Sequence, residues 1–223
     1  MENLKYRSVF DIIGPVMVGP SSSHTAGAAR IGKVSRMIFG EKPDSVEIDL
    51  YESFAKTYRG HGTDIALVGG LLGMNPDDPR LSESLKLAHE EGIEVLFVPK
   101  KEKAKHPNLV TMHLKKGKYK MSVTGISIGG GNIQISELDG FSISLSMGTP
   151  TFIVVHEDVR GLLAQVSAVI SDAGINIGTV TMTRQKKGDN GILVLEVDDK
   201  PSDNSTKEKL RSLDHVFGVT YFD

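Results

Sequence analysis

Cysteine is absent from this chain of 223 residues. That absence excludes a disulfide framework, thiol catalysis and a cysteine-ligated iron–sulfur cluster within the chain. Any cluster chemistry has to come from another polypeptide. Long apolar runs are missing as well. The longest, about Ile65 to Met74, falls far short of the ~20 residues that span a bilayer. The first residues, Met1 to Ser8, lack the apolar core of a signal peptide, so the cytoplasm is the expected location. Neither sign of charge dominates: 26 Lys and Arg stand against 28 Asp and Glu. Without a broad basic surface, nucleic acid is a poor partner. The seven histidines include no H-x-x-x-H or H-E-x-x-H pair, which argues against a self-contained zinc site.

What is present suffices for a globular core, with 39% hydrophobic residues and 24 glycines besides. The length suits one large domain or two modest ones. The expected break falls near Met147-Gly148-Thr149-Pro150, giving domains of 1–147 and 148–223. Upstream of it, Phe141, Ile143 and Leu145 alternate with serines as a period-two strand.

Downstream, Phe152 to Val155 reads as a strand, and Leu162, Val166, Val169, Ile170 and Ala173 fall at helical spacing, closed by Gly174. Strands over Ile175–Gln185 and Ile192–Val197 flank a turn at 187–191. A polar helix at Asn204–Leu213 and a last strand at Val216–Phe222 complete a βαββαβ order, the ferredoxin-like split unit. The first domain reads as mixed α/β. A capping box at Ser8–Asp11 opens a short helix, and further helices are expected over Thr25–Phe39, His61–Leu72 and Ser82–Glu91. Strand signals lie at Val46–Leu50, Ile93–Val98, Leu109–Leu114, Lys118–Ile126 and Asn132–Glu137.

Three clusters stand out as candidate chemistry. Gly19-Pro20-Ser21-Ser22-Ser23-His24-Thr25 immediately precedes a helix. A helix N-terminus exposes unpaired N–H groups and a partial positive charge, and so binds carboxylates and phosphates. One serine as N-cap is the plainer explanation, yet a cap needs one hydroxyl and this loop offers four beside an imidazole. Gly60-His61-Gly62-Thr63-Asp64 lies at another helix start. There the dipole disfavours imidazolium, so a neutral His61 could accept a proton, and Asp64 could cap the helix or contact His61. Arg59 could add a fixed positive charge for a carboxylate; an ordinary capped helix is the alternative. Ser127-Ile128-Gly129-Gly130-Gly131-Asn132 joins two strands. It reads either as a flexible hairpin or as a backbone nest facing an anion. Asp158, Arg160 and Gly161, after the first strand of the second domain, and Asn176 at the next strand read on their own as turn chemistry. The remaining histidines show no partner pattern.

Together, Gly-Pro-Ser-Ser-Ser-His-Thr at 19–25, Gly-His-Gly-Thr-Asp at 60–64 and Ser-Ile-Gly-Gly-Gly at 127–131 resemble, in order and spacing, the signatures of the β chain of bacterial iron–sulfur L-serine dehydratases. The segment Thr151–Asp223 resembles an ACT domain, a regulatory βαββαβ module. The resemblance implies conversion of L-serine to pyruvate and ammonia, with a [4Fe–4S] cluster held by a cysteine-containing α subunit and no metal ligand in this chain. It implies that Ser21, Ser22, Ser23, His24 and Thr25 hold the substrate, with Gly129, Gly130 and Gly131 shaping the wall. By the same likeness His61 is base or proton relay, oriented by Thr63 and Asp64. For the ACT module it implies homodimerisation and an amino-acid ligand, L-serine by expectation, near Asp158, Arg160, Gly161 and Asn176. A competing reading is an allosteric sensor, because the first domain also resembles the allosteric substrate-binding domain of some phosphoglycerate dehydrogenases. A stand-alone hydrolase built on Ser23 and His24 is weaker, since adjacent residues do not supply a triad's geometry.

Overall fold

The computed structural model describes residues 15–146 and 148–222. The capping box expected at Ser8–Asp11, and Met147 of the expected domain break, lie outside them. The chain divides into two compact units, the second starting at Gly140.

In the first unit a π-helical turn, Ser22–Gly27, runs directly into α1 (Ala28–Phe39). Helix α1 buries the stripe Ala28, Ile31, Val34, Ser35 and Ile38 that its sequence periodicity predicts. Gly40 ends it at φ 87°, donating its N–H to Arg36 O. Strand β1 (Ser45–Leu50) follows, then α2 (Glu52–Thr57), α3 (Thr63–Leu71), a 3₁₀ turn at Pro79–Glu83, α4 (Ser84–Glu90) and β2 (Glu94–Pro99). Strand β1 pairs in parallel with β2 and antiparallel with β3 (Leu109–Lys116). A meander through β4 (Tyr119–Gly129) and β5 (Asn132–Leu138) extends the order to β2-β1-β3-β4-β5. The helices between β1 and β2 thus form the crossover that parallel strands require.

Three local features depart from the sequence expectation. Helix α1 is preceded by a wider turn, so Thr25 sits in π geometry and not in the α-helix. Helix α3 starts at Thr63 and not at His61, because Gly62 stands at φ 67° and breaks helical continuity. Helix α2 was not expected at all: six residues are too few for a 3.6-residue period to register.

Helices α1 and α3 cross backbone to backbone. A Cβ on Gly32 would overlap Leu67 O, and one on Gly70 would overlap Ala29 O and lie 2.7 Å from Lys33 N. On its other side α1 rests on β4, where a Cβ on Gly125 would come within 2.6 Å of Ile31 Cγ2. Side chains larger than hydrogen would push these elements apart. The crossing therefore fixes the segments that enter α1 and α3 with respect to each other.

The second unit opens with β6 (Phe141–Ser146) and continues through β7 (Thr151–Glu157), α5 (Leu162–Asp172), β8 (Ile177–Arg184), β9 (Asn190–Val197), α6 (Ser205–Arg211) and β10 (Val216–Phe222). From β7 onward this is the βαββαβ order. Its four strands lie in the sequence β10-β7-β9-β8, each antiparallel to its neighbours. Phe152 and Val154 of β7 and Leu193 and Leu195 of β9 face Leu162, Val166 and Ile170 of α5 in one buried cluster. The fold class is mixed α/β with a ferredoxin-like C-terminal unit. Among the described residues no helix is long and apolar enough to cross a membrane.

Candidate functional site

His24 is the centre of the site. Ser21 caps the π turn, its Oγ accepting from His24 N–H at 3.2 Å while lying 3.4 Å from His24 Nδ1. The opposite edge of the ring meets Ser53, with Nε2 3.0 Å from Ser53 Oγ. Phe54 stands edge-on at 5.2 Å between centroids, and the His61 ring lies perpendicular at 5.0 Å. Burial lowers the pKa of His24 below its ordinary 6.5, and the nearby charge of His61 lowers it further. The turn before α1, helix α2 and the turn before α3 each contribute one side of this arrangement.

The second cluster joins the first through the backbone. Buried Thr25 donates its hydroxyl to His61 O at 3.2 Å. The His61 side chain is exposed, and its ring nitrogens have no hydrogen-bond partner among the described residues. Thr63 and Asp64, expected to orient His61, do not bond it. Thr63 Oγ1 is fully buried and has no hydrogen-bond partner among the described residues, while Asp64 Oδ1 accepts from Ile65 N–H at 2.9 Å. Arg59 lays its guanidinium over the Tyr58 ring at 5.4 Å.

The triple glycine is a tight hairpin. Gly129 pairs with Asn132, so Gly130 at φ 61° and Gly131 at φ 80° are its central residues, both in the left-handed region that a type I′ turn requires. The hairpin abuts the π turn: Arg30 Nη1 donates to Gly131 O at 2.8 Å, and a Cβ on Gly131 would lie 3.5 Å from Ala26 Cβ. Ser127, at the strand end, packs its buried hydroxyl, which has no hydrogen-bond partner among the described residues, against Gly27. Segments 36 and 101 residues apart are thereby tied to the π turn, through Thr25, and to the first turn of α1 that continues it, through Arg30.

The structure does not gather the four residues expected as regulatory ligands. Asp158 Oδ2 is engaged by Arg184 Nη1 at 2.6 Å and Gly188 N–H at 2.9 Å, which hold its pKa below the ordinary carboxylate value, the Gly188 bond most. Gly161 caps α5 at φ 86°, and Arg160 beside it is exposed. Asn176 lies at the other end of the sheet and donates to Asp198 Oδ2 at 2.6 Å. The register makes this plain: Glu157 is level with Asn190, whereas Ile177 is level with Val197.

Sequence reasoning missed Ser53 and Phe54, which α2 delivers to His24. The available signal was slight, one large apolar residue between β1 and the Gly60 loop. Among the described residues no group of three or more His, Asp or Glu could hold a metal ion. With no cysteine in the chain, these residues do not fit the ligation of an iron–sulfur cluster.

The site can be set beside known proteins. The family model "Serine dehydratase beta chain" matches residues 8–90, which include the first two clusters, and "ACT domain" matches residues 151–215. The probable L-serine dehydratase β chain of Bacillus subtilis is 45% identical, over 97% of this chain and 98% of the relative. The L-serine dehydratase β chain of Peptoniphilus asaccharolyticus is 36% identical over the same shares of both chains. D-3-phosphoglycerate dehydrogenase of Bacillus subtilis is 24% identical over 88% of this chain but only 37% of its own length. On the strength of end-to-end likeness to two such β chains, this chain belongs to the L-serine dehydratase β-chain family and carries an ACT domain.

Proposed function

We propose that this β chain works in an iron–sulfur-dependent L-serine dehydratase, gripping L-serine and moving its proton while an α chain holds a [4Fe–4S] cluster on its own cysteines. The observation that carries the reading is the convergence of the 21–25, 60–64 and 127–131 segments on one turn. The electrophile for the departing hydroxide belongs to that cluster, and this chain's residues account for the rest.

Ser22 and Ser23 have half-buried side chains with no partner among the described residues. Their hydroxyls and the positive end of α1 suit the substrate carboxylate. His61, exposed and unpaired, accepts the Cα proton. His24, kept neutral by burial and touching His61, relays that proton toward Ser21. Gly129, Gly130 and Gly131 wall the site without side chains. Loss of water leaves aminoacrylate, which tautomerises and is hydrolysed to pyruvate and ammonia.

The test is assembly of this chain with its α partner and measurement of serine-dependent pyruvate. His61→Ala should lower kcat by about 100-fold or more, the scale of a lost general base. Turnover within a few-fold of wild type removes that role from His61. A sensor reading draws support from the phosphoglycerate dehydrogenase likeness. A colourless complex with regulated dehydrogenase activity would favour it.

For the ACT domain we infer a homodimer that binds L-serine between copies. The separation of Asp158, Arg160 and Gly161 from Asn176 within one chain favours a shared site, to which each copy brings one end. Titration calorimetry of the full chain with L-serine should show heat, and sedimentation should show a dimer. No heat, or a monomer, leaves the domain without that role.

A further inference from the structure

We propose that Ser53 is a positioning residue for the dehydratase reaction: its hydroxyl, 3.0 Å from His24 Nε2, holds the ring so that Nδ1 faces the serine-rich turn. The inference rests on the dehydratase reading above and adds a residue to it. A serine at the N-cap position spends its hydroxyl on the helix's own N–H groups, but Ser53 lies one residue inside α2, after Tyr51 and Glu52, and its hydroxyl is free to reach elsewhere. Helix α2 has no side-chain cap bond, and the Ser53 hydroxyl reaches a residue 29 positions away.

The backbone that delivers it is held on both sides. Ser53 N–H donates to Pro107 O at 2.9 Å, and Ser53 O accepts from Thr57 Oγ1 at 2.8 Å. The preceding residue, Glu52, stands at φ 46°, in the left-handed region unfavourable to a residue with a Cβ. Such strain persists where surrounding contacts over-determine it, and it concentrates at functional sites. Here it places one hydroxyl on one imidazole nitrogen.

The consequence is a tautomer. A serine hydroxyl can donate or accept, so the direction is set at the other edge of the ring. Ser21 Oγ already accepts from His24 N–H, which turns its own hydrogen toward Nδ1, leaves the lone pair there, and makes Nε2–H the donor to Ser53 Oγ, while the 3.4 Å between Ser21 Oγ and Nδ1 is long for a hydrogen bond. Nδ1 is then free to take a proton from the site, and the edge of Phe54 limits rotation of the ring. Without Ser53 the two tautomers would interchange and the basic nitrogen would point away for part of the time.

Ser53→Ala and Ser53→Thr, made in the full chain and assembled with the α chain, test the assignment. Ser53→Ala should lower kcat about 10- to 100-fold while KM for L-serine moves less than about threefold, and Ser53→Thr, which keeps the hydroxyl, should recover to within about threefold of wild type. In the full chain alone, nitrogen NMR of the His24 ring should report Nε2 protonated in wild type and Ser53→Thr, but mixed tautomers in Ser53→Ala. Unchanged kcat in Ser53→Ala, equal loss in both variants, or identical ring spectra overturns the proposal. A wild-type complex that makes no pyruvate sinks the dehydratase reading instead, and the ring spectra still decide whether Ser53 sets the His24 tautomer.

Discussion

His24 is placed where an added proton is unwelcome, part-buried beside a second imidazole. Its folded-state pKa lies below 6.5 while the unfolded chain keeps the ordinary value, so the folded form takes up the proton less readily. That contribution to stability is complete above about pH 6.5 and is lost as pH falls through the lowered value. His61 is the titratable group facing the ring; Ser21, Ser53 and Phe54 are neutral. Calorimetric melting from pH 7 to pH 5 should show the midpoint falling, with a shallower slope in His24→Gln. Equal slopes would show that His24 does not contribute. Thr25 offers a second test at this scale. Thr25→Val keeps the shape but drops the bond to His61 O, for a stability loss of about 1 kcal/mol. It should lower kcat about 10-fold by loosening the His61 turn, and assays at saturating serine would show it.

At the scale of elements, the glycine crossing decides how closely α1 and α3 approach. Gly70→Ala should destabilise the first unit by about 1–3 kcal/mol through overpacking and cost activity as well, because both helices lead back to a histidine. Gly218→Ala, where a Cβ would have nothing within 4 Å, should shift urea unfolding by less than about 0.5 kcal/mol. The sequence made α1 legible because Ala28, Ile31, Val34, Ser35 and Ile38 recur at helical spacing, and the strands of the second unit because apolar runs end in turn residues. It could not show the crossing, since glycines carry no hydrophobic pattern and only partners in space reveal a close approach. Helix α2 escaped for want of length. The three clusters announced themselves as polar and glycine density at element junctions. That Thr25, and neither Thr63 nor Asp64, holds the His61 turn depends on contacts between distant segments, which spacing does not encode.

At the scale of the molecule, a chain without cysteine has no thiolate to give the cluster proposed above, so on that reading the thiols belong to the α chain alone. Alkylating this chain with a thiol reagent before assembly should leave serine turnover unchanged, whereas the same treatment of the α chain should abolish it. Full turnover after the thiols of the α chain have been blocked would contradict the division, because the cluster would then have no thiolate ligands. Within the second unit, Asp158 ties the β7–α5 loop to the turn after β8 through Arg184 and Gly188. Asp158→Ala should speed hydrogen exchange at the Gly188 amide about 10-fold, read by mass spectrometry or NMR, because the amide loses its acceptor. The contact at Gly32 and Gly70 bears on a property of a different kind. Two peptide planes pressed together leave no void to collapse and no rotamer to switch, and protein interiors packed in this way compress very little. Hydrostatic pressure, which works on empty volume, therefore has almost no purchase on the distance between the backbones of α1 and α3. That spacing should hold until the whole unit gives way.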